Sequence, residues 1–432
     1  MIKKLFTMQI VLCIMIFCTT KKLKIEQQNF ELIYEYPPKF KINRNTKLYI
    51  KSHNRLHVKK YKKRKINLNS QICIFDLSEK LINYKLAFEL QNFFHYCKII
   101  LWKENNLNIL NNKELNEINN LKKYTEQNDF CFILQHPPSY TLGSSAEDKD
   151  ILLDKKNYYI EELENLYKNY DLNEISNFIK KYKNIQNEID NCETYDDKKD
   201  YFKSFTQNIS ENNKLPIYRI NRGGKATYHG PGQLVLYFIF NLKNYSCNYH
   251  IKRDKLSQHN FNNPIKDDIL QKRDFSLFNK NEEKTVAGNI ETIFDLHKTI
   301  NNFQKLGIEC MDKFKIKTYT KEDTIGVFYK EKKLISIGIK IRKYISMHGM
   351  SLNFNIDKNF LKYLLSCGMS HSDYTSLHEI KEIKKNDKYK DKQKTDIQNS
   401  LLQELKANVI QLITKTFNTK VKITDQIPKI FA

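Results

Sequence analysis

Two stretches of this 432-residue chain alternate with a period of two, and that alternation is what most restricts the fold. In residues 333–341, Ile335, Ile337, Ile339 and Ile341 share one face. In residues 350–356, Met350, Leu352, Phe354 and Ile356 share one face, and Ser351, Asn353 and Asn355 share the other. Successive strand side chains point to opposite sides, so each stretch reads as a strand with one face on a core. Apolar runs at 72–75, 130–135 and 234–240 read as further strands. Helical spacing marks 84–102, 289–306 and a C-terminal segment near 401–413, while 110–128 reads as loop or weak helix. Strands and helices alternate irregularly. This predicts an α/β (α+β) fold, a mixed β-sheet with flanking helices on one side, and not a doubly wound one.

The length alone would suggest two or three domains. Blocks rich in Lys, Asn, Asp and Glu interrupt the pattern at about 157–213, 243–284 and 382–395. They are expected to be low-complexity insertions on the surface of a single catalytic domain, residues 71–432.

The formal net charge is +24. Half of it falls between Lys21 and Lys65, where 15 Lys or Arg meet three acids, Glu26, Glu31 and Glu35. Ahead of this stretch, Lys3 and Lys4 precede an unbroken apolar run from Ile10 to Cys18. Thr19 and Thr20 offer small residues for cleavage. The run is too short to span a membrane, which takes about 20 apolar residues. Residues 1–20 are expected to be a signal peptide and 21–70 a basic transit or disordered leader. Such a two-part address fits import into a plastid of the apicoplast type through the secretory route, with the mitochondrion as the alternative. The charge could also serve nucleic acid, but no helix-turn-helix, zinc-finger or RNP-type motif accompanies it, so no nucleic-acid partner is expected. A monomer without a stable membrane span is expected.

Nine cysteines are present, at 13, 18, 73, 97, 131, 192, 247, 310 and 367. None forms a C-x-x-C pair, and seven remain outside the leader, so a complete disulfide framework is impossible. Reduced thiols leave room for one reactive cysteine.

Residues 222–234 read Arg-Gly-Gly-Lys-Ala-Thr-Tyr-His-Gly-Pro-Gly-Gln-Leu and hold four of only 11 glycines in the chain. Glycine lets backbone adopt positive φ and approach a ligand closely, so such a cluster in a glycine-poor chain points to a site. The G-K-[ST] ending of a phosphate loop is missing. A second cluster comprises Lys333, His348-Gly349, Asn353 and Ser366-Cys367-Gly368. A thiolate is the nucleophilic form of cysteine and a nearby lysine favours it. On chemistry alone Lys332 and Lys340 stay open beside Lys333, and a lone cysteine is more often an inert small hydrophobe.

Four separated motifs resemble the lipoyl(octanoyl) transferase family. Residues 136–143, His-Pro-Pro-Ser-Tyr-Thr-Leu-Gly, resemble its HPPxYTxG element, and 222–234 its RGGxxTYHGPGQL signature. Residues 333–338 with 348–353 resemble its KIAAIG…HGxALN pair. Ser366-Cys367-Gly368 with Thr375-Ser376-Leu377 resembles its PCG…TSL block, with Ser366 where the family usually has proline. The resemblance implies a biotin/lipoate protein ligase-like fold. It implies that Cys367 takes an octanoyl group from octanoyl-acyl carrier protein as a thioester. The group then passes to a lysine amine on lipoyl domains of 2-oxoacid dehydrogenase complexes, such as pyruvate dehydrogenase E2. By the same carry-over, Lys333 lowers the pKa of Cys367 and handles protons. Arg222, Gly223, Gly224, Lys225, Ala226, Thr227, Tyr228, His229, Ser336, Ile337, Gly338, Gly349, Met350 and Ser351 line the acyl pocket. His229 and His348 are expected to shape that pocket and not to act as bases. No cofactor and no metal are implied. Two rivals remain: an ATP-dependent lipoate-protein ligase, and a non-catalytic scaffold that binds carrier protein.

Overall fold

The computed structural model describes residues 31–32, 71–100, 112–163, 175–196, 199–207, 214–245, 247–252, 289–365, 369–385 and 394–426. Residues 1–20, expected to be a signal peptide, and most of 21–70, the expected leader, therefore lie outside the described residues. Within them the strands are β1 (Glu31–Leu32), β2 (Gln71–Leu81), β3 (Asn128–Gln135), β4 (Ser139–Leu142), β5 (Tyr158–Glu162), β6 (Leu215–Arg219), β7 (Thr227–His229), β8 (Gln233–Ile239), β9 (Cys247–Lys252), β10 (Asn289–Phe294), β11 (Gly326–Tyr329), β12 (Lys332–Arg342), β13 (Ile345–Asn353) and β14 (Val421–Thr424). The helices are α1 (Tyr84–Ile100), α2 (Asn112–Gln127), α3 (Ile175–Asp190), α4 (Tyr201–Gln207), α5 (Leu296–Lys313), α6 (Lys358–Leu361), α7 (Leu377–Lys385) and α8 (Lys394–Phe417).

The main sheet has the order β1-β12-β13-β8-β3-β2-β14, with β11 beside β12. It is mixed: β3 runs parallel to β2 and β2 to β14, while β12, β13, β8 and β3 are successively antiparallel. The expectation of helices on one side is corrected. Val235, Tyr237 and Ile239 of β8 pack with α1, and Leu234, Leu236 and Phe238 pack with α5 and α8 on the opposite face. Every residue of β3, β8 and β13 is buried, as strands covered on both faces must be.

The described part of the first insertion is exposed on one side and packed into the fold on the other. β5 pairs in parallel with β6 in a second sheet of order β5-β6-β4-β7. Tyr182, Ile185 and Ile189 of α3 are buried against α1, with Tyr182 stacked on Phe93 at 4.1 Å. Truncating a buried aromatic removes its transfer free energy and leaves a cavity. Tyr182→Ala should therefore cost about 3–5 kcal/mol, read as a lowered midpoint in chemical denaturation. Of the second block, residues 247–252 pair antiparallel with 289–294 and 253–288 lie outside the described residues. Residues 289–294 are thus strand, not helix: α5 begins at Leu296, where Asp295 caps it by accepting from Lys298 N at 3.2 Å. The later strand also shifts, running over 345–353 in place of 350–356.

α1 is tied to the sheet by a buried ion pair. Lys98 Nζ lies 2.7 Å from Asp129 Oδ1, and Asp129 also accepts from Tyr245 Oη at 2.6 Å and Asn241 N at 2.8 Å. Such a pair holds only when its remaining hydrogen-bonding capacity is met, as it is here.

Candidate active site

The site forms where the two sheets meet. The glycine-rich segment leaves β6, turns at Gly224 (φ +93°), forms β7 and turns again at Gly232 (φ +83°) into β8. Motifs far apart in sequence close on it. Gly143 passes so near Gly224 that a Cβ there would come within 2.2 Å of the Gly224 carbonyl oxygen. Ser144 N donates to Arg222 O at 2.9 Å, and Gly223 N donates to Ile339 O of β12 at 3.2 Å.

One pocket gathers Arg222, Thr227 and His229 from this segment, Ser336, Ile337 and Gly338 from β12, and Gly349, Met350 and Ser351 from β13. Tyr84, Val235, Tyr237 and His348 complete its lining. Gly223, Gly224, Lys225, Ala226 and Tyr228 do not reach the lining. Tyr228 and Ala226 belong to a separate apolar cluster, where Tyr228 stacks on Phe360 at 5.2 Å. Sequence reasoning missed Tyr84 and Tyr237 because each sits in an element that reads as plain core. The Arg222 guanidinium is held by Thr141, its Nη2 donating to Oγ1 at 2.8 Å and to the carbonyl at 3.2 Å.

The polar side chains around the pocket have defined proton positions. His136 Nδ1 faces the Ile82 carbonyl at 2.6 Å and must donate to it. Its Nε2 therefore accepts from Tyr237 Oη at 2.7 Å. Gln233 Nε2 donates to Asn353 Oδ1 at 3.0 Å, which leaves Gln233 Oε1 to accept from His229 Nδ1 at 2.7 Å. The His229 lone pair is thus on Nε2, and the ring stacks on Tyr84 at 5.5 Å. Asn353 Nδ2 donates to Thr375 O at 3.2 Å, and Thr375 N donates to Lys333 O at 3.0 Å. A hydrogen-bonded line therefore joins the pocket histidine to the backbone of Lys333.

Burial holds His229 and His348 well below the usual histidine range. His136 and then Arg222 add to this at His229, and Arg222, Lys340, His229 and His95 add to it at His348. Both rings are neutral at physiological pH. Burial lowers His136 to about 4. The unfolded imidazole takes up its proton from about pH 6.5 downward and the folded one only near pH 4, so stability is lost as pH falls through that window. For His136 alone the loss is about 1.4 kcal/mol per pH unit, visible as a lower denaturation midpoint at pH 5 than at pH 7.

Lys333 is buried at the start of β12, with Nζ 5.5 Å from the Phe328 ring centroid. Its backbone bridges in parallel to Tyr374, which sets it beside the Thr375-Ser376-Leu377 block. Lys332 is 45% exposed and lies 3.9 Å from Glu379. Lys340 is seven residues along the strand, about 23 Å away at about 3.3 Å per residue. Ser366, Cys367 and Gly368 lie outside the described residues. On one side of them Leu365 N donates to Asp150 O at 2.8 Å and Leu364 is buried. On the other, Met369 packs against the same apolar cluster as Tyr374. Among the described residues no three His, Cys, Asp or Glu side chains are grouped as metal ligands, and no helix is long and apolar enough to cross a membrane.

Comparison with known proteins places this arrangement. The lipoyl protein ligase A/B catalytic domain matches residues 196–259 and 286–405. The octanoyltransferase of Buchnera aphidicola subsp. Acyrthosiphon pisum (strain APS) is 29% identical over 185 residues, 43% of this chain and 64% of that protein. The octanoyltransferase of Buchnera aphidicola subsp. Schizaphis graminum (strain Sg) is 30% identical over 206 residues, 45% of this chain and 73% of that protein. The crystal structure of lipoate-protein ligase A bound with ATP aligns over 84% of this chain and 91% of that one, at 9% identity and a TM-score of 0.39. On this similarity, and with the glycine-rich motif and the 333–338/348–353 pair lining one pocket, the chain belongs to the octanoyltransferase family of acyltransferases.

Proposed function

We propose that the protein transfers an octanoyl group from acyl carrier protein to a lysine amine on a lipoyl domain, through a thioester on Cys367. The observation that carries this reading is one pocket lined by the glycine-rich motif and by both halves of the 333–338/348–353 pair, with Lys333 linked to it by the Gln233–Asn353–Thr375 hydrogen bonds. In the first step the Cys367 sulfur attacks the thioester carbonyl of the carrier. The carrier's thiolate leaves and takes a proton. In the second step the target amine attacks the acyl-cysteine, an amide forms, and Cys367 is released. Splitting one transfer into two lowers each barrier and produces ping-pong kinetics. Lys333 favours the thiolate as a neighbouring cation. Neutral His229 and His348 fit pocket walls better than general bases, because burial disfavours their charged forms.

The test is intact-protein mass measurement after incubation with octanoyl carrier protein and no acceptor. The expected result is one octanoyl adduct on Cys367 that a lipoyl domain discharges. A protein that binds the carrier yet never gains the adduct would be the scaffold. Consumption of ATP with free octanoate would make it a ligase. For residues 1–70 the reading is plastid import, and a fluorescent protein fused behind them should enter the plastid. Mitochondrial fluorescence would overturn that assignment.

A further inference from the structure

Behind His348 the pocket meets side chains that the transfer reaction does not use. Tyr84, Phe88, Gln91 and His95 follow one another at roughly one per turn along α1, so they form a stripe on one face of the helix. The stripe starts in the pocket at Tyr84 and runs over β13. Phe88 stacks on His348 at 5.9 Å, and Gln91 Oε1 accepts from His348 N at 2.8 Å. His95 hydrogen-bonds the backbone of Ile345, at the far end of the strand, and Asn92 lies beside it on the helix. His348 adopts φ +61°. That left-handed conformation is strained for a side-chain-bearing residue, and it turns the ring toward α1 in the middle of an alternating strand.

These four residues are sealed from solvent, with Gln91 0%, Asn92 3%, His95 3% and His348 2% exposed. Nevertheless Gln91 Nε2, Asn92 Nδ2, His95 Nε2 and both ring nitrogens of His348 have no hydrogen-bond partner. A buried polar group left unmatched costs about 1–3 kcal/mol, so a cluster of them needs a reason.

Their place on the pocket axis supplies one. β12 runs from Lys333 at the reacting end, through Ser336 and Gly338 in the lining, toward Lys340. Gly338 is five residues from Lys333, about 16 Å along a strand. A lysine side chain and an extended eight-carbon acyl chain together have that reach. We infer that Gln91, Asn92, His95 and His348 form a polar end-stop to the acyl pocket, which limits the length of apolar chain accepted and admits a longer chain only when its tip can hydrogen-bond. The inference rests on the octanoyl transfer proposed above. Methylenes pushed past His348 would seal the unmatched polar atoms against hydrocarbon, whereas a terminal hydroxyl could satisfy several of them.

The experiment compares transfer from carrier protein loaded with octanoyl, dodecanoyl and 12-hydroxydodecanoyl groups. It uses the native enzyme, Asn92→Leu and His95→Leu, with Gln91 left intact because it holds the His348 backbone. In the native enzyme dodecanoyl should transfer at least about tenfold more slowly than octanoyl, and the hydroxyl-tipped chain should recover about tenfold. Each leucine variant should raise the dodecanoyl-to-octanoyl rate ratio about tenfold and lose the preference for the hydroxyl. A native enzyme that treats both twelve-carbon chains alike overturns the end-stop, whether or not the variants fold. So do folded variants with the native ratio. If the native enzyme transfers no octanoyl at all, the proposed function falls; if it transfers octanoyl with none of these discriminations, only the end-stop does.

Discussion

Cys367→Ala should gain no octanoyl adduct and should transfer at less than about one-thousandth of the native rate, the scale of loss when a covalent nucleophile is removed. Folding should be unaffected, because the chain on both sides is held by other contacts: Leu365 N to Asp150 O, and Leu364 and Met369 in the apolar cluster around Phe360. Five other thiols, all among the described residues, are poorly suited to substitute. Cys73, Cys97, Cys131 and Cys310 are buried and Cys192 is partly so. Burial raises the pKa of each, that of Cys310 to about 12, which suppresses the thiolate that nucleophilic attack needs. Brief alkylation at neutral pH should therefore label Cys367 ahead of these five, and native protein alkylated at Cys367 should behave like the alanine variant. Transfer that survives in Cys367→Ala would remove the thioester from the mechanism.

The sequence showed the framework of this site where a local rule had only one solution. Gly224 and Gly232 mark turns with positive φ, and a cluster of glycines in a glycine-poor chain announces such turns. The alternation in β12 places Ile335 and Ile341 in the core on one face and Ser336 and Gly338 in the pocket on the other. Where long-range packing decided the outcome, the sequence was silent. Tyr84 and Tyr237 read as ordinary aromatic core, and only the fold shows that they face Arg222 and His229. The spacing of Tyr182, Ile185 and Ile189 was a legible amphipathic stripe, but the surrounding Lys and Asn hid it. Asp295 was an equally legible helix cap and would have separated β10 from α5. Helices on both faces could not be read from period-2 strands, because β13 buries Ser351 in the pocket wall and Asn353 against Gln233, a polar face that imitates a solvated one.

Lys333→Met should slow octanoyl transfer by about 10²–10³-fold and shift its pH profile to higher pH. Methionine keeps the length and apolar bulk of the side chain. The packing beside Phe328 and the approach of Gly326 should therefore survive, as should the Thr375 N to Lys333 O hydrogen bond, which uses only backbone. What the variant loses is a buried positive charge at the reacting end of β12. Without it the Cys367 thiolate is less favoured at neutral pH, so alkylation of Cys367 should slow and need a more alkaline buffer for the same rate. This readout separates a charge effect from a structural one, since a merely distorted site would lose rate without moving the alkylation profile. Lys332→Met is the matched control. Its side chain is 45% exposed and lies near Glu379, so the same loss of charge one residue away should leave both profiles in place. If Lys333→Met alkylates and titrates like the native enzyme, the pairing of Cys367 with Lys333 is wrong, and the thiolate must be stabilised from the other side of the pocket.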